Sequence, residues 1–400
     1  MRLKYLPLII LLAIPLSLSG CWSKGEINSL GIIRGLGIDQ SPNGYVVTVQ
    51  VITPNLIGRG QSRELATVTL FSVTEQTIFK ALRRISTTST RRLYIGHLGL
   101  IIIGEAQARA GIGRLLDFLM RDHETRINFR WIVAQGTTAQ NILSILTPIE
   151  SVPTQNIINT LEISEQVFGT TKLVESYQLI NQITNPYSNP VLPGVSATGD
   201  PERQYNIQSL KSTHLESRLY VKELAAFKAD RLVGWLNETE SKGYNYLVDN
   251  IKNPVETMYI KKEKTKIAIE VTESKCKLQG RIRAGRPEII VNLNIAGKVG
   301  EIEGNYDLGI LHNLVRLEKA LKVEVTREMQ AAVKRGLGEL KVDIFGFGEA
   351  IHRSDPKAWR KQKSHWENKL PQITIKYQVQ TKLISTGLIS KPYWREPEEE

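Results

Sequence analysis

The sequence predicts an α+β protein of more than one domain, with mixed and antiparallel sheets each covered by helices. Three observations carry that prediction. Strand-like and helix-like segments alternate between about residues 60 and 150. Three segments of the second half alternate apolar and polar residues with period two. One apolar stripe, Leu314, Leu317, Leu321, Val325, Met329 and Val333, recurs at helical spacing. A length of 400 residues also leaves room for two or three domains, each large enough for a proper core.

Arg2 and Lys4 precede an uncharged apolar run from Leu6 to Leu18, which closes on Leu18-Ser19-Gly20-Cys21. A positive start, a short apolar stretch and small residues make a secretory signal peptide. Small residues directly before a cysteine are what bacterial lipoprotein processing reads: it attaches diacylglycerol to the thiol and cuts in front of it. Residues 1–20 are therefore expected to be a lipoprotein signal peptide. Cys21 is expected to become the first residue of a membrane-anchored, extracytoplasmic chain, carrying S-diacylglycerol and an N-acyl group. The alternatives are an ordinary cleaved leader or an uncleaved anchor. The run of 13 residues is short for a span, which needs roughly 20.

Gly31 to Asp39 and Tyr45 to Thr53 read as strands joined at Ser41-Pro42-Asn43-Gly44, because Asn-Gly between apolar runs signals a hairpin. Thr67 to Val73 is a strand, and Thr74 to about Thr88 a helix with Ile78, Leu82 and Ile85 on one face. Leu98 to Ile103 is a continuously apolar strand, followed by a helix from Glu105 to Arg121 that carries Leu115, Leu116 and Leu119. Phe129 to Ala134 is the next strand. The capping box Thr137-Thr138-Ala139-Gln140 opens a helix running through Leu146, and Pro148 and Pro153 close this layered α/β unit.

Residues 185–203 gather Pro186, Pro190, Pro193, Pro201, Gly194 and Gly199 among Asn and Ser, the composition of a linker or long loop. The main boundary is expected here, between an N-terminal region of residues 21–200 and a C-terminal α+β domain of residues 201–400. In that domain Lys264–Thr272, Ile289–Ala296 and Ile373–Gln380 alternate cleanly, with one wet face and one buried face, which favours antiparallel pairing. The apolar stripe lies on a helix from about Asp307 to Leu337 that covers the dry face. Glu396 to Glu400 is an acidic tail expected to lack structure.

The chain carries +12, and loss of Arg2 and Lys4 with the leader leaves +10. A solvated basic surface and attraction to anionic lipid head groups both account for that charge. The basic residues are spread along the chain, so no nucleic-acid partner is expected. With Cys21 acylated, Cys276 has no cysteine to pair with; it reads as a buried, inert thiol.

A search for catalytic residues yields none. His97, His123, His214, His312, His352 and His365 form no metal-binding spacing, so no metal or cofactor is expected. Gly280-Arg281-Ile282-Arg283-Ala284-Gly285-Arg286 is one residue from a phosphate loop, but Arg-Pro stands where Lys-Ser/Thr belongs, so it reads as a basic hairpin turn. Asp122-His123-Glu124 resembles an acid/base cluster and is better read as a solvated helix end. Gly35-Leu36-Gly37 lacks the third glycine of a dinucleotide loop and reads as close backbone packing. Asp343-Ile344-Phe345-Gly346-Phe347-Gly348 reads as a strand approached closely by another backbone. A helix after Pro356 would set Trp359 and Trp366 on one face, packed on the sheet or, flanked by Lys357, Arg360, Lys361 and Lys363, serving as a contact surface.

These stretches resemble the Ger(x)C spore germination lipoproteins, the C subunits of GerA-type nutrient germinant receptors. The resemblance rests on Cys21-Trp22, Gly35-Leu36-Gly37-Ile38-Asp39, Leu224-Ala225-Ala226-Phe227-Lys228 and Leu232-Val233-Gly234-Trp235-Leu236. It continues through Asp343-Ile344-Phe345-Gly346-Phe347-Gly348, Ile351-His352-Arg353, Pro356, Trp359 and Trp366. Ser23-Lys24 departs from the charged pair common in the family. The resemblance implies an α+β fold in three domains, two of them within the N-terminal region. It also implies a non-enzymatic lipoprotein on the outer face of the spore inner membrane. Two integral membrane subunits, A and B, would be its partners in responding to nutrients. Acylated Cys21 is the only site carried over. A lipoprotein that captures the nutrient itself is the alternative.

Overall fold

A computed structural model describes residues 30–52, 66–199, 217–363 and 366–385. The signal peptide, Cys21, Trp22, Ser23-Lys24, His214, His365 and the acidic tail lie outside the described residues.

The first sheet is mixed. Its strands are β1 (Leu30–Ser41), β2 (Gly44–Ile52), β3 (Val68–Glu75), β4 (Arg92–Tyr94), β5 (Leu100–Gly104), β6 (Arg130–Ala134), β7 (Val191–Gly199), β8 (Ser217–Lys228) and β9 (Arg231–Leu236). They lie in the order β3-β2-β1-β5-β6-β7-β8-β9, with β4 beside the start of β1. The β1–β2 and β2–β3 pairs are antiparallel, β5, β6 and β7 follow β1 in parallel, and the β7–β8–β9 end is antiparallel again.

Helices cover both faces of the parallel middle, which is why β5 is apolar without interruption. Ile101 and Ile103 point into one core with Ile78, Ala81 and Ile85 of α1 (Ile78–Thr88) and Leu115 and Leu119 of the downstream helix. Leu100 and Ile102 point the other way, against Ile142 and Leu143 of α4 (Ala139–Ser144) and Ile157 and Leu161 of α5 (Pro153–Val167).

The helix expected over Glu105–Arg121 is two helices, α2 (Glu105–Ala110) and α3 (Gly113–Arg121). Gly111 takes φ +126° between them, and the break is held from outside. Asp230, in the β8–β9 turn, accepts the Ile112 N–H on its carbonyl (2.9 Å) and the Gly113 N–H on its carboxylate (3.0 Å). A carboxylate at the start of α3 suits the dipole there. The loop expected over 185–203 is also corrected, because residues 191–199 are β7, buried in mid-sheet at Val191, Leu192 and Val195. Pro190 and Pro193 are tolerated there because β7 pairs with β6 only at Gly194 and Val195. Pro153, read as a breaker, is the first residue of α5, where its missing N–H costs nothing. A further helix, α6 (Ser176–Thr184), precedes β7.

The second sheet, order β10-β11-β12-β13, comprises Val255–Ile260, Thr265–Arg283, Arg286–Glu303 and Thr374–Ser385. β10 and β12 flank β11 antiparallel, and Ala284 and Gly285, both at positive φ, make the two-residue turn between Arg283 and Arg286. β13 instead runs parallel to β12, against the expected antiparallel pairing. The chain between them holds α8 (Leu311–Val333), a π-helical turn (Lys334–Glu339), α9 (Phe347–Ser354), α10 (Pro356–Gln362) and α11 (Trp366–Lys369). A connection that long crosses back over the sheet, which is what parallel strands require. Leu317, Leu321, Val325 and Met329 of α8 pack on Ile267, Ile269, Val291 and Leu293 as the stripe predicted. The same core takes in Val191, Leu224, Ala226 and Leu236 of the first sheet, so the two sheets share apolar contact.

At Gly243, in α7 (Glu238–Leu247), a Cβ would overlap the backbone carbonyl of Glu328 in α8. Gly243→Val should lower stability by about 1–3 kcal/mol through overpacking, whereas Gly338→Ala, with open space around it, should be neutral or mildly stabilising. Thermal denaturation of the two variants measures this.

Candidate functional site

The motif residues lie where the fold is tied together. Asp39, at the end of β1, is buried, and its carboxylate accepts the N–H groups of Ala139 (2.7 Å) and Gln140 (3.0 Å) at the start of α4. Burial pushes its pKa up and the two N–H bonds pull against that shift. Gly35 and Gly37 let Thr154, Leu143 and Ala139 come against β1, as read from the sequence. Trp235 of β9 donates its indole N–H to Glu105 of α2 (3.2 Å).

The segment from Asp343 to Gly348 is not a strand. Asp343 to Gly346 form a loop, and Phe347 starts α9. One Asp343 oxygen accepts the N–H groups of Phe345 (3.1 Å), Gly346 (3.0 Å) and Phe347 (3.1 Å); the other accepts from Gly348 (2.8 Å) and from the Trp366 indole (3.2 Å). Gly346 reaches φ +77° to turn the backbone around the carboxylate, a conformation glycine adopts freely. With its acceptors inside the loop, this stretch has no need of a ladder partner. Desolvation pushes the Asp343 pKa up despite these bonds. Trp359 and Trp366 lie on separate helices, α10 and α11, yet meet edge to face with ring centroids 5.1 Å apart, and Tyr187 stacks on His352 at 4.6 Å. Both tryptophans are buried, so the packed reading holds and the tryptophan contact surface does not.

Titratable groups also converge between α7, β10 and α8. Lys242 pairs with Glu256 (2.9 Å), Tyr246 donates to the other Glu256 oxygen (2.8 Å), and Glu328 lies beside them with one oxygen lacking a partner. Burial first, and the Glu256 charge second, raise the Glu328 pKa to about 9. Lys242, Glu256, Tyr246 and Glu328 lie outside the clefts around Lys275, Arg91 and Asn189. Burial pushes the Cys276 thiol to about 12, which makes it inert as a nucleophile. Among the described residues no group of three or more His, Cys, Asp or Glu side chains is placed to hold a metal. Asp122 ends α3 and accepts the Glu124 N–H, and His123 is exposed, consistent with a solvated helix end.

Open clefts also occur among the described residues. One, of about 800 Å³, runs over the second sheet and mixes Lys252, Lys275 and Lys382 with Glu273 and Glu318. Another, of about 710 Å³, opens between α1, α3 and β4, with Arg83, Arg91, Arg92 and Arg121 on its walls and Leu82, Leu93 and Ile95 beneath. Arg83-Arg84 and Arg91-Arg92 are adjacent pairs in the sequence, a signal that nothing in the chain order connects with Arg121. The described helices include none long and apolar enough to cross a membrane.

Residues 23–197 match the family described as "Spore germination protein N-terminal domain", and residues 222–387 match "Spore germination B3/ GerAC like, C-terminal". The chain is 32% identical over 397 residues to Spore germination protein KC of Bacillus subtilis (strain 168), covering 97% of each. It is 24% identical to Spore germination protein B3 of the same organism, over 94% of this chain and 96% of that one. The crystal structure of the GerBC protein superposes with a TM-score of 0.56 at 20% identity, covering 90% of this chain and 100% of that one, a likeness of fold.

Two outcomes follow from the buried acids. An acid that holds its proton more tightly when folded adds stability that is complete below its unfolded value, 4.5 for Glu328, and lost as pH rises through about 9. Denaturant titrations across that range should show stability falling with pH, and Glu328→Gln should flatten the decline and be the more stable protein at pH 9 by roughly 1–3 kcal/mol. Asp343→Ala strands buried N–H groups and should cost at least about 2 kcal/mol at neutral pH, read from the same titrations.

Proposed function

The chain belongs to the Ger(x)C family of spore germination proteins, and on that basis we propose that it is the lipid-anchored, non-catalytic subunit of a spore nutrient germinant receptor, required for nutrient-triggered germination. The observation that carries this reading is the end-to-end match, 97% of both chains, to a protein named for spore germination. In this reading residues 1–20 are removed, Cys21 carries the acyl groups, and the body stands on the outer face of the spore inner membrane. Two integral membrane subunits, A and B, are its partners.

Acylation of Cys21 would supply the hold on the membrane in this reading. Each buried CH2 of an acyl chain contributes about 0.8 kcal/mol, so one chain holds marginally and two or more hold stably. Asp39 and Asp343 are each engaged by backbone N–H groups that tie elements of the fold together, which supports a structural role for these family residues. The family matches, 23–197 and 222–387, support a division of the sequence near residue 200, even though β8 and β9, beyond it, complete the first sheet.

A second reading, in which the body captures the nutrient itself, draws on the polar cleft of about 800 Å³ over the second sheet. Calorimetry of the unlipidated body with single nutrients separates the two, because saturable binding favours capture.

Cys21→Ala should abolish lipid labelling and move the chain to the aqueous fraction. Deletion of the gene in a spore former should remove the response to at least one nutrient. A labelled, membrane-bound Cys21→Ala chain would sink the anchor, and unchanged germination with every nutrient would sink the receptor role.

A further inference from the structure

The arginine cleft lies where the chain arrives from its amino terminus. Leu30, the first described residue, pairs with Arg92 in parallel register, and Gly31 pairs with Leu93, which lines the cleft. Neighbouring strands lie about 4.8 Å apart. Cys21 stands nine residues before Leu30, a length that spans at most about 32 Å in any conformation. An acyl group on Cys21 therefore holds this end of β1, and the cleft beside it, close to the bilayer.

The cleft carries a surplus of positive charge. Its four arginines face two carboxylates, Asp122 and Glu124. Glu124 pairs with Arg92 at 2.6 Å, and Asp117, on the outer side of α3, pairs with Arg121 at 2.9 Å. On the outer side of α1, Glu75 pairs with Lys80 and Arg84. Arg83 and Arg91 have no carboxylate partner among the described residues. Arg83 lies 5.1 Å over the ring of Phe79, and a buried guanidinium nitrogen of Arg91 has no acceptor. Arg83 is exposed, so its guanidinium can offer N–H groups to a phosphate from outside. Phe79 is 52% exposed at the cleft, an aromatic ring suited to the boundary between head groups and acyl chains. The cleft over the second sheet sets three lysines against two glutamates, a smaller surplus, and has no aromatic side chain on its wall.

We propose that the cleft between α1, α3 and β4 is the face this chain turns to the membrane, and that it takes the phosphate of anionic phospholipid head groups through Arg83, Arg91, Arg92 and Arg121. The orientation rests on the lipid-anchored reading above, while the affinity of the cleft for anionic lipid does not.

The test uses the chain from residue 21 onward with Cys21→Ser, which keeps every described residue and carries no lipid. It is sedimented with phosphatidylcholine vesicles prepared with and without phosphatidylglycerol. Binding should require phosphatidylglycerol and weaken as salt rises. Each basic residue held near an anionic surface is worth about fivefold in binding. Arg83→Ala with Arg91→Ala should therefore weaken it by at least about tenfold. Lys252→Ala with Lys382→Ala, the same loss of charge at the other cleft, should leave it nearly unchanged. Arg83→Ala with Arg121→Ala replaces the first pair if Arg91→Ala does not fold. Equal losses from the two clefts would mean that net charge alone is read, and would overturn the proposal. So would release from the vesicles by inorganic phosphate at constant ionic strength, the mark of a small-anion pocket. Lipid labelling of Cys21 in the native chain reports separately on the anchor.

Discussion

A carboxylate moved out of water must be met by hydrogen-bond donors, and this fold is organised around two that are. Asp39 receives the start of α4 and so joins the first strand to a helix a hundred residues later. Asp343 gathers four backbone N–H groups and the Trp366 indole, which shapes the loop after the long helix and brings α11 back against it. Each donor would be costly if left unmet in the core, so loop and helix ends have one arrangement in which all are satisfied. Both aspartates belong to the stretches by which the sequence resembles its family. Those stretches mark the ties of the scaffold.

The remaining polar chemistry has the same character. Lys242, Tyr246 and Glu256 tie α7 to β10, with Glu328 of α8 beside them, and Asp230 sets the break between α2 and α3. Such groups join elements that are apart in the chain. What faces outward is charge and shape: a basic cleft beside the first strand and a polar cleft over the second sheet. These two clefts are the broad surfaces the described residues present to a partner or a membrane.

Much of the architecture was legible where periodicity is strong. The stripe from Leu317 to Met329, the alternation in β11, β12 and β13, and the apolar β5 all follow from one-dimensional spacing, because burial on one face, or on both, leaves its period in the sequence. Proline and glycine misled where position mattered more than composition. Pro153 starts α5, and Pro190 and Pro193 accompany the central strand β7.

By itself the sequence determined the α+β class, the candidate acylated cysteine and the family, since each depends on residues close together or on their order. Tertiary structure alone decided the parallel pairing of β13, the split between α2 and α3, the loop around Asp343 and the meeting of Arg83, Arg92 and Arg121. The Asp343 loop is local apart from its bond to Trp366; the others join segments far apart in the chain. Their energies come from hydrogen bonds and shared charge across that separation, and such contacts leave no period to read.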